Sequence, residues 1–269
     1  MTAFSPGSVV WFEIGTADPE AAQGFYGSLL GWTFQAVPAA GGHPYTLITA
    51  PGAALPMGGI REPAPDGEET MCLSVRSTDV EADMARLTDL GAKPAGSVGP
   101  ATDGGPCARL RDPRGTLFSV WQAAGNAADD PAGAGGAAGI PGPGSLGWFE
   151  IGTTDIEASK TFYAKAFGWD YIRDTGVRSR PYFAVVAPGH ERGSGGLVDT
   201  SGTKDAEGAR DYAVPQFLTA DVPATIAKAK TLGATVEAGP ETTAYGLTHA
   251  RLTDPRGLRF LVFSLPQQS

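Results

Sequence analysis

Trp11-Phe12-Glu13-Ile14-Gly15-Thr16 returns as Trp148-Phe149-Glu150-Ile151-Gly152-Thr153, 137 residues later. Self-similarity at a fixed offset is the mark of a duplicated structural unit. The match extends outward from the hexapeptide: Asp18 pairs with Asp155, Phe25-Tyr26 with Phe162-Tyr163, Gly31-Trp32 with Gly168-Trp169, Pro44-Tyr45 with Pro181-Tyr182, and Gly58-Gly59 with Gly195-Gly196. An insertion near residues 200–210 changes the offset to 142. Asp79-Val80 then pairs with Asp221-Val222, Leu90-Gly91-Ala92 with Leu232-Gly233-Ala234, Ala108-Arg109-Leu110 with Ala250-Arg251-Leu252, and the turn Asp112-Pro113-Arg114-Gly115 with Asp254-Pro255-Arg256-Gly257.

Within each half the logic repeats again. Val9–Gly15 reads as a strand, and Asp18-Pro19-Glu20 as a helix start, with an N-cap, a proline at the first helical position and an acid in the first turn. Phe25, Leu29 and Leu30 form an apolar stripe that Gly31 ends, and strands are predicted near Trp32–Val37, Tyr45–Thr49 and Gly58–Arg61. Thr70–Arg76 opens a second unit, with a cap at Asp79, a helix to Leu90-Gly91, and strands on either side of the Asp112-Pro113-Arg114-Gly115 turn. The expected fold is α+β: four βαβββ modules forming two tandem domains, residues 1–122 and 146–269. Residues 123–145 between them are rich in Gly, Ala and Pro without an apolar period, and read as a linker.

Composition agrees. With 269 residues, 42% apolar and 18% charged, the chain suits a globular protein of two domains. A net charge of −9 argues against nucleic acid as a partner. No run approaches a membrane span, the N-terminus has no basic region followed by an apolar core, and a cytoplasmic protein without membrane partners is expected. Two cysteines, Cys72 and Cys107, are too few for a disulfide framework.

In this order, and occurring twice, the strand followed by Asp-x-x-x-x-x-x-Phe-Tyr, the Gly-Trp after the helix and the Asp-Pro-x-Gly turn resemble the vicinal oxygen chelate superfamily, the fold of glyoxalases, bleomycin-resistance proteins and extradiol dioxygenases. The tandem form is similar to an actinobacterial group, often labelled hydroxylases, that includes a mycobacterial culture-filtrate antigen. The resemblance implies incomplete barrels built from paired modules. In metal-dependent members a divalent ion sits inside on His, Gln or Glu ligands, with coordination positions open to a substrate. Here the ligand position on the first strand is Trp11, or Trp148 in the second half. The position on the last strand is Ser119 or Leu261, and the third falls near Thr70 or Tyr212. Indole is a donor only. His43, His190 and His249 do not repeat between halves and read as surface or turn residues. No resident metal or other cofactor is therefore expected.

Strand alternation then says what lines the barrels. Val9, Trp11, Glu13 and Gly15 face inward, as do Thr70, Cys72, Ser74, Leu117, Ser119 and Trp121. The second half offers Trp148, Glu150, Gln216, Arg259, Leu261 and Phe263. Glu13 and Glu150 are the candidate catalytic residues, because a carboxylate beside a tryptophan can have a raised pKa and act as acid or base. Their other reading is a structural ion pair with Arg109 or Arg251. Trp11, Trp148, Tyr45, Tyr182, Ser119, Trp121 and Gln216 are the candidate ligand-binding residues. The tryptophans also read as core filling, and the tyrosines as strand-edge cover. Cys72 reads as a small buried apolar residue, Trp32 and Trp169 as packing, and Arg114 and Arg256 as exposed turn residues. The expected function is metal-independent binding of a planar or amphipathic small molecule in a Trp/Glu-lined cavity, by a monomer or homodimer. The alternative is an enzyme of lyase, dioxygenase or hydroxylase type acting on a hydroxylated aromatic or carbonyl compound, through Glu13 and Glu150 or a divalent metal.

Overall fold

The computed structural model describes residues 5–38, 44–63, 68–124, 142–202 and 211–266. The first half contains β1 (Val9–Gly15), α1 (Pro19–Leu30), β2 (Thr33–Pro38), β3 (Pro44–Thr49), β4 (Gly58–Arg61), β5 (Thr70–Arg76), α2 (Val80–Asp89), β6 (Lys93–Pro94), β7 (Gly99–Pro100), β8 (Pro106–Arg111) and β9 (Leu117–Trp121). The second contains β10 (Leu146–Thr153), α3 (Ile156–Phe167), β11 (Asp170–Arg173), β12 (Tyr182–Val186), β13 (Gly195–Asp199), β14 (Tyr212–Leu218), α4 (Val222–Thr231), β15 (Thr235–Thr242), β16 (Thr248–Thr253) and β17 (Arg259–Ser264). Each helix starts the same way, with the carboxylate of Asp18, Asp79, Asp155 or Asp221 accepting the backbone N–H of the residue three places on. That satisfies one of the four orphan donors at a helix start, which is why this Asp stands in all four modules.

The strands form one curled mixed sheet per half. The order is β2-β3-β4-β1-β5-β9-β8-β6, with β7 also on β8, in the first and β11-β12-β13-β10-β14-β17-β16-β15 in the second. Each sheet thus draws all its described strands from its own half. The two modules of a half meet where β1 runs antiparallel to β5, and β10 to β14. Most of the segment read as a linker lies outside the described residues. Its end is anchored, since Trp32 Nε1 donates to the Gly144 carbonyl at 2.7 Å.

The faces turned away from the barrel interiors meet in one shared core. Phe12 and Ile14 are fully buried there, and Phe12 packs edge-on against Phe217 of the other half with ring centroids 5.1 Å apart. The contacts are reciprocal. Tyr26 Oη donates to Asp254 at 3.0 Å, and Tyr163 Oη to Asp112 at 2.8 Å, so each Asp-Pro-Arg-Gly turn is completed by a helix of the opposite half. Trp169 Nε1 donates to the Gly7 carbonyl at 2.7 Å, mirroring Trp32 and Gly144. Arg256 is exposed in its turn as expected, whereas Arg114 is half-buried. Arg114 bonds Asp211 and Thr154, Arg256 bonds Glu69, and both tie the halves together. Among the described residues no helix is long and apolar enough to cross a membrane.

Candidate functional site

The repeated Gly-Gly on the fourth strand shows how each barrel interior is shaped. A Cβ on Gly58 or Gly195 would enter the ring of Phe12 or Phe149 on the core side. A Cβ on Gly59 or Gly196 would stand 2.1 or 1.8 Å from the hydroxyl oxygen of Tyr45 or Tyr182 on the barrel side. Only glycine lets these tyrosines lie flat on the strand. Each tyrosine is thereby delivered to the tryptophan of the first strand, with Trp11 Nε1 donating to Tyr45 Oη at 3.1 Å and Trp148 Nε1 to Tyr182 Oη at 2.9 Å. Tyr45 and Tyr182 are buried in the barrel walls and do not cover strand edges.

In the first half the chain continues. Tyr45 donates to Glu13 Oε1 at 3.1 Å, while Arg109 Nη2 and Arg61 Nε donate to Oε2 at 2.5 and 3.3 Å. Burial disfavours the charge on Glu13, but the two guanidiniums and the tyrosine outweigh it, so its pKa lies below the ordinary 4.5. This is the direction opposite to the raised value that acid–base work would use. Around this network lies a cavity of about 340 Å³, walled by Trp11, Tyr45, Val37, Leu47 and Trp121, with Glu13 and Ser74 as polar points. Cys107 also lines it, and Cys72 sits opposite Glu13 in the strand pairing. Burial pushes the thiols up to about 12 and about 11, the nearby Glu13 adding to the effect, so both are neutral and neither is an activated nucleophile.

In the second half Glu150 is held differently, by the hydroxyl of Tyr212 at 2.6 Å. Val198 replaces Arg61 at the equivalent place. Arg251 and Arg259 lie 5.3 and 4.7 Å over the Tyr212 ring, and Arg259 Nε donates to Glu237 at 2.6 Å. The second cavity, about 260 Å³, is lined by Trp148, Glu150, Tyr182, Gln216 and Phe263, together with Asp174, Arg180, Tyr245 and His249.

Of the residues singled out in the sequence, Trp11, Glu13, Tyr45 and Trp121 thus meet in one cavity, and Trp148, Glu150, Tyr182 and Gln216 in the other. Ser119 does not line the first. It is fully buried, its hydroxyl on that of Ser74 at 2.6 Å. Arg259 and Leu261 likewise sit in the wall. His249 is a strand residue facing the second cavity, contrary to a turn assignment. Burial keeps its pKa below the ordinary 6.5, with Arg180 and Arg251 adding and Glu150 and Glu241 opposing. His190 is exposed at a turn, and His43 lies outside the described residues. Arg61 was missed, although it lies two residues beyond Gly59 and alternation puts both on one face. His249 was legible in the same way, two residues before Arg251.

The family's metal row can now be placed. Trp11 pairs with Ser74 and Ser74 with Ser119, while Trp148 pairs with Gln216 and Gln216 with Leu261. The third position is therefore Ser74 or Gln216, and Thr70 stands opposite Gly15, four residues away. An indole and two hydroxyls, or an indole, an amide and an isobutyl group, do not make a divalent-ion site. Glu13, the nearest carboxylate in the first half, is already committed to two arginines. Among the described residues no group of three or more His, Cys, Asp or Glu could hold a metal ion.

Comparison with known proteins agrees with the fold. Residues 10–121 match the Glyoxalase-like domain, and residues 145–262 match the Glyoxalase/Bleomycin resistance protein/Dioxygenase superfamily. The anthracycline biosynthesis protein DnrV of Streptomyces peucetius is 28% identical over 98% of this chain and 96% of its own. The Mycobacterium tuberculosis protein named "Putative glyoxylase CFP32" is 28% identical over 98% of both chains. Among solved structures, the Mn(II)-bound glyoxalase from Novosphingobium aromaticivorans superposes with a TM-score of 0.59 at 17% identity, covering 96% of this chain and 82% of that one. With two such domains in tandem spanning most of its length, the chain belongs to the glyoxalase/bleomycin resistance/dioxygenase superfamily.

Proposed function

We propose that the protein is a metal-independent small-molecule binding protein that holds a planar or amphipathic ligand in its Trp/Glu-lined cavities. The observation that carries this reading is the replacement of the first metal-ligand position by Trp11. Its indole is fixed by Tyr45 and forms one wall of a 340 Å³ cavity. Apolar walls with few polar points are the usual make-up of a small-molecule site, and indole offers a broad, flat stacking surface. Likeness to a protein named for anthracycline biosynthesis supports a small organic molecule as the partner. The test is tryptophan fluorescence against a panel of planar compounds, run beside elemental mass spectrometry of protein exposed to zinc, nickel, iron and manganese and then desalted. Saturable quenching that Trp11→Leu weakens, with near-zero metal, is expected. No saturable quenching by any compound would sink the reading, and about one ion per half would remove its metal-independence.

An enzyme is the second reading, and the word biosynthesis in DnrV's name favours it. Glu150 then takes the chemical role, because it faces its cavity with a tyrosine as partner and lacks the paired arginines of Glu13. With a substrate in hand, Glu150→Gln separates the readings: lost turnover with retained binding supports catalysis, and unchanged turnover removes this carboxylate from it.

A further inference from the structure

The two cavities differ in whether their polar groups are already partnered. In the first they hold one another: Trp11 with Tyr45, Tyr45 with Glu13, Ser74 with Ser119, and Trp121 Nε1 with Asp103 at 3.2 Å. In the second, three lining side chains make no hydrogen bond or ion pair with any described residue: Gln216, Arg180 and His249. Gln216 is the most telling, being only 5% exposed and standing at Ser74's place in the strand row. Its neighbours there are Trp148, which cannot accept a hydrogen bond, and Leu261, which has nothing to offer. The amide atoms of Gln216 are not sealed in the wall but open to the cavity, where a bound molecule can pair with them.

The chemistry of that partner follows from what is left open. Asp174 accepts on both oxygens, from Tyr245 Oη at 2.9 Å and the Gly176 N–H at 2.8 Å, and Glu150 accepts on Oε1 from Tyr212, with buried Arg251 over the same ring. The open groups are chiefly donors, namely the guanidinium of Arg180, the amide N–H groups of Gln216 and an imidazole N–H. They suit an acceptor-rich, negatively charged group, and a guanidinium fork matches a carboxylate in particular. Trp148, Tyr182 and Phe263 supply flat apolar wall. The cavity mouth continues into an open groove of about 440 Å³ that shares Val177, Ser179, Thr243 and His249, giving a route in.

We propose that the second cavity binds an aromatic carboxylate, its carboxylate taken by Arg180 and Gln216 and its ring lying against Trp148 and Phe263. The proposal rests on the small-molecule reading above and adds the ligand class and the half that binds it. The experiment is isothermal titration of the full-length chain with 2-naphthoate and with 2-naphthamide, its neutral counterpart, in the native protein and in Arg180→Gln. Arg192→Gln, at an exposed position that lines neither the cavity nor the groove, is the control. The acid should bind about tenfold or more tightly than the amide, as fits one charge-assisted pair. Arg180→Gln should abolish that preference while leaving naphthamide unchanged, and Arg192→Gln should alter neither. Equal affinity for acid and amide, or a preference that survives Arg180→Gln, overturns the proposal and leaves the small-molecule reading standing. Binding of neither compound to the native protein counts against both.

Discussion

At Glu13 burial opposes the charge, and Arg109 and Arg61 sustain it. The carboxyl titrates at lower pH in the folded chain than in the unfolded one, so the stability it contributes is present above about pH 4.5 and is lost as pH falls through its folded pKa. Glu13→Gln keeps the shape and the tyrosine contact but leaves two arginines facing a neutral amide. With Arg109 about one-third exposed, we expect a loss of roughly 2–3 kcal/mol at pH 7, less than a fully buried pair would show. Urea denaturation of both proteins from pH 7 to pH 3 checks this: the difference should shrink toward acid, and a constant difference would mean that the charge is not what matters. The glycines behind the tyrosines make a second expectation. Gly59→Ala forces Tyr45 off the strand and away from Trp11, costing about 1–3 kcal/mol by overpacking and shifting tryptophan emission. Unchanged emission would show that Tyr45 is not pinned there.

The strands and helices were largely legible because each carries a local signal: a capping Asp, a Gly at the helix end, an alternating run. β1, β4 and β5 fall where alternation and turn residues put them. What one stretch cannot specify is its pairing with another. Thr70 was taken for the third position of the metal row because β5 had no partner to fix its register, and the bulge between Val9 and Trp11 has no local signature. The slip was four residues, an even number, so the inward set survived it. Arg180 stayed hidden for a related reason, since it meets its cavity from a loop whose position depends on the rest of the barrel. The Asp-Pro-Arg-Gly turns were recognised as turns but not as contacts. Tyr163→Phe and Tyr26→Phe each remove a buried donor from a turn carboxylate, and each should cost about 1–2 kcal/mol in chemical denaturation. Because the two bonds are separate, the double variant should lose close to the sum of the two.

On the scale of the molecule, reciprocal contacts across one continuous core make the halves depend on each other. Calorimetry of the whole chain should show a single cooperative transition, and two resolved transitions would contradict a shared core. The pairs Tyr26 with Asp254 and Tyr163 with Asp112 also bear on the ancestry of the chain. A gene encoding one such half would specify a surface bearing both the tyrosine and the aspartate, complementary to its own copy across a twofold axis, as in an isologous dimer. Joining two copies end to end keeps that surface intact while releasing the two barrels from having to be identical. Ser74 and Gln216, or Arg61 and Val198, could then drift apart without weakening the seam. The duplication preserves one interface and leaves two interiors free to diverge, so a single polypeptide can carry two differently selective cavities.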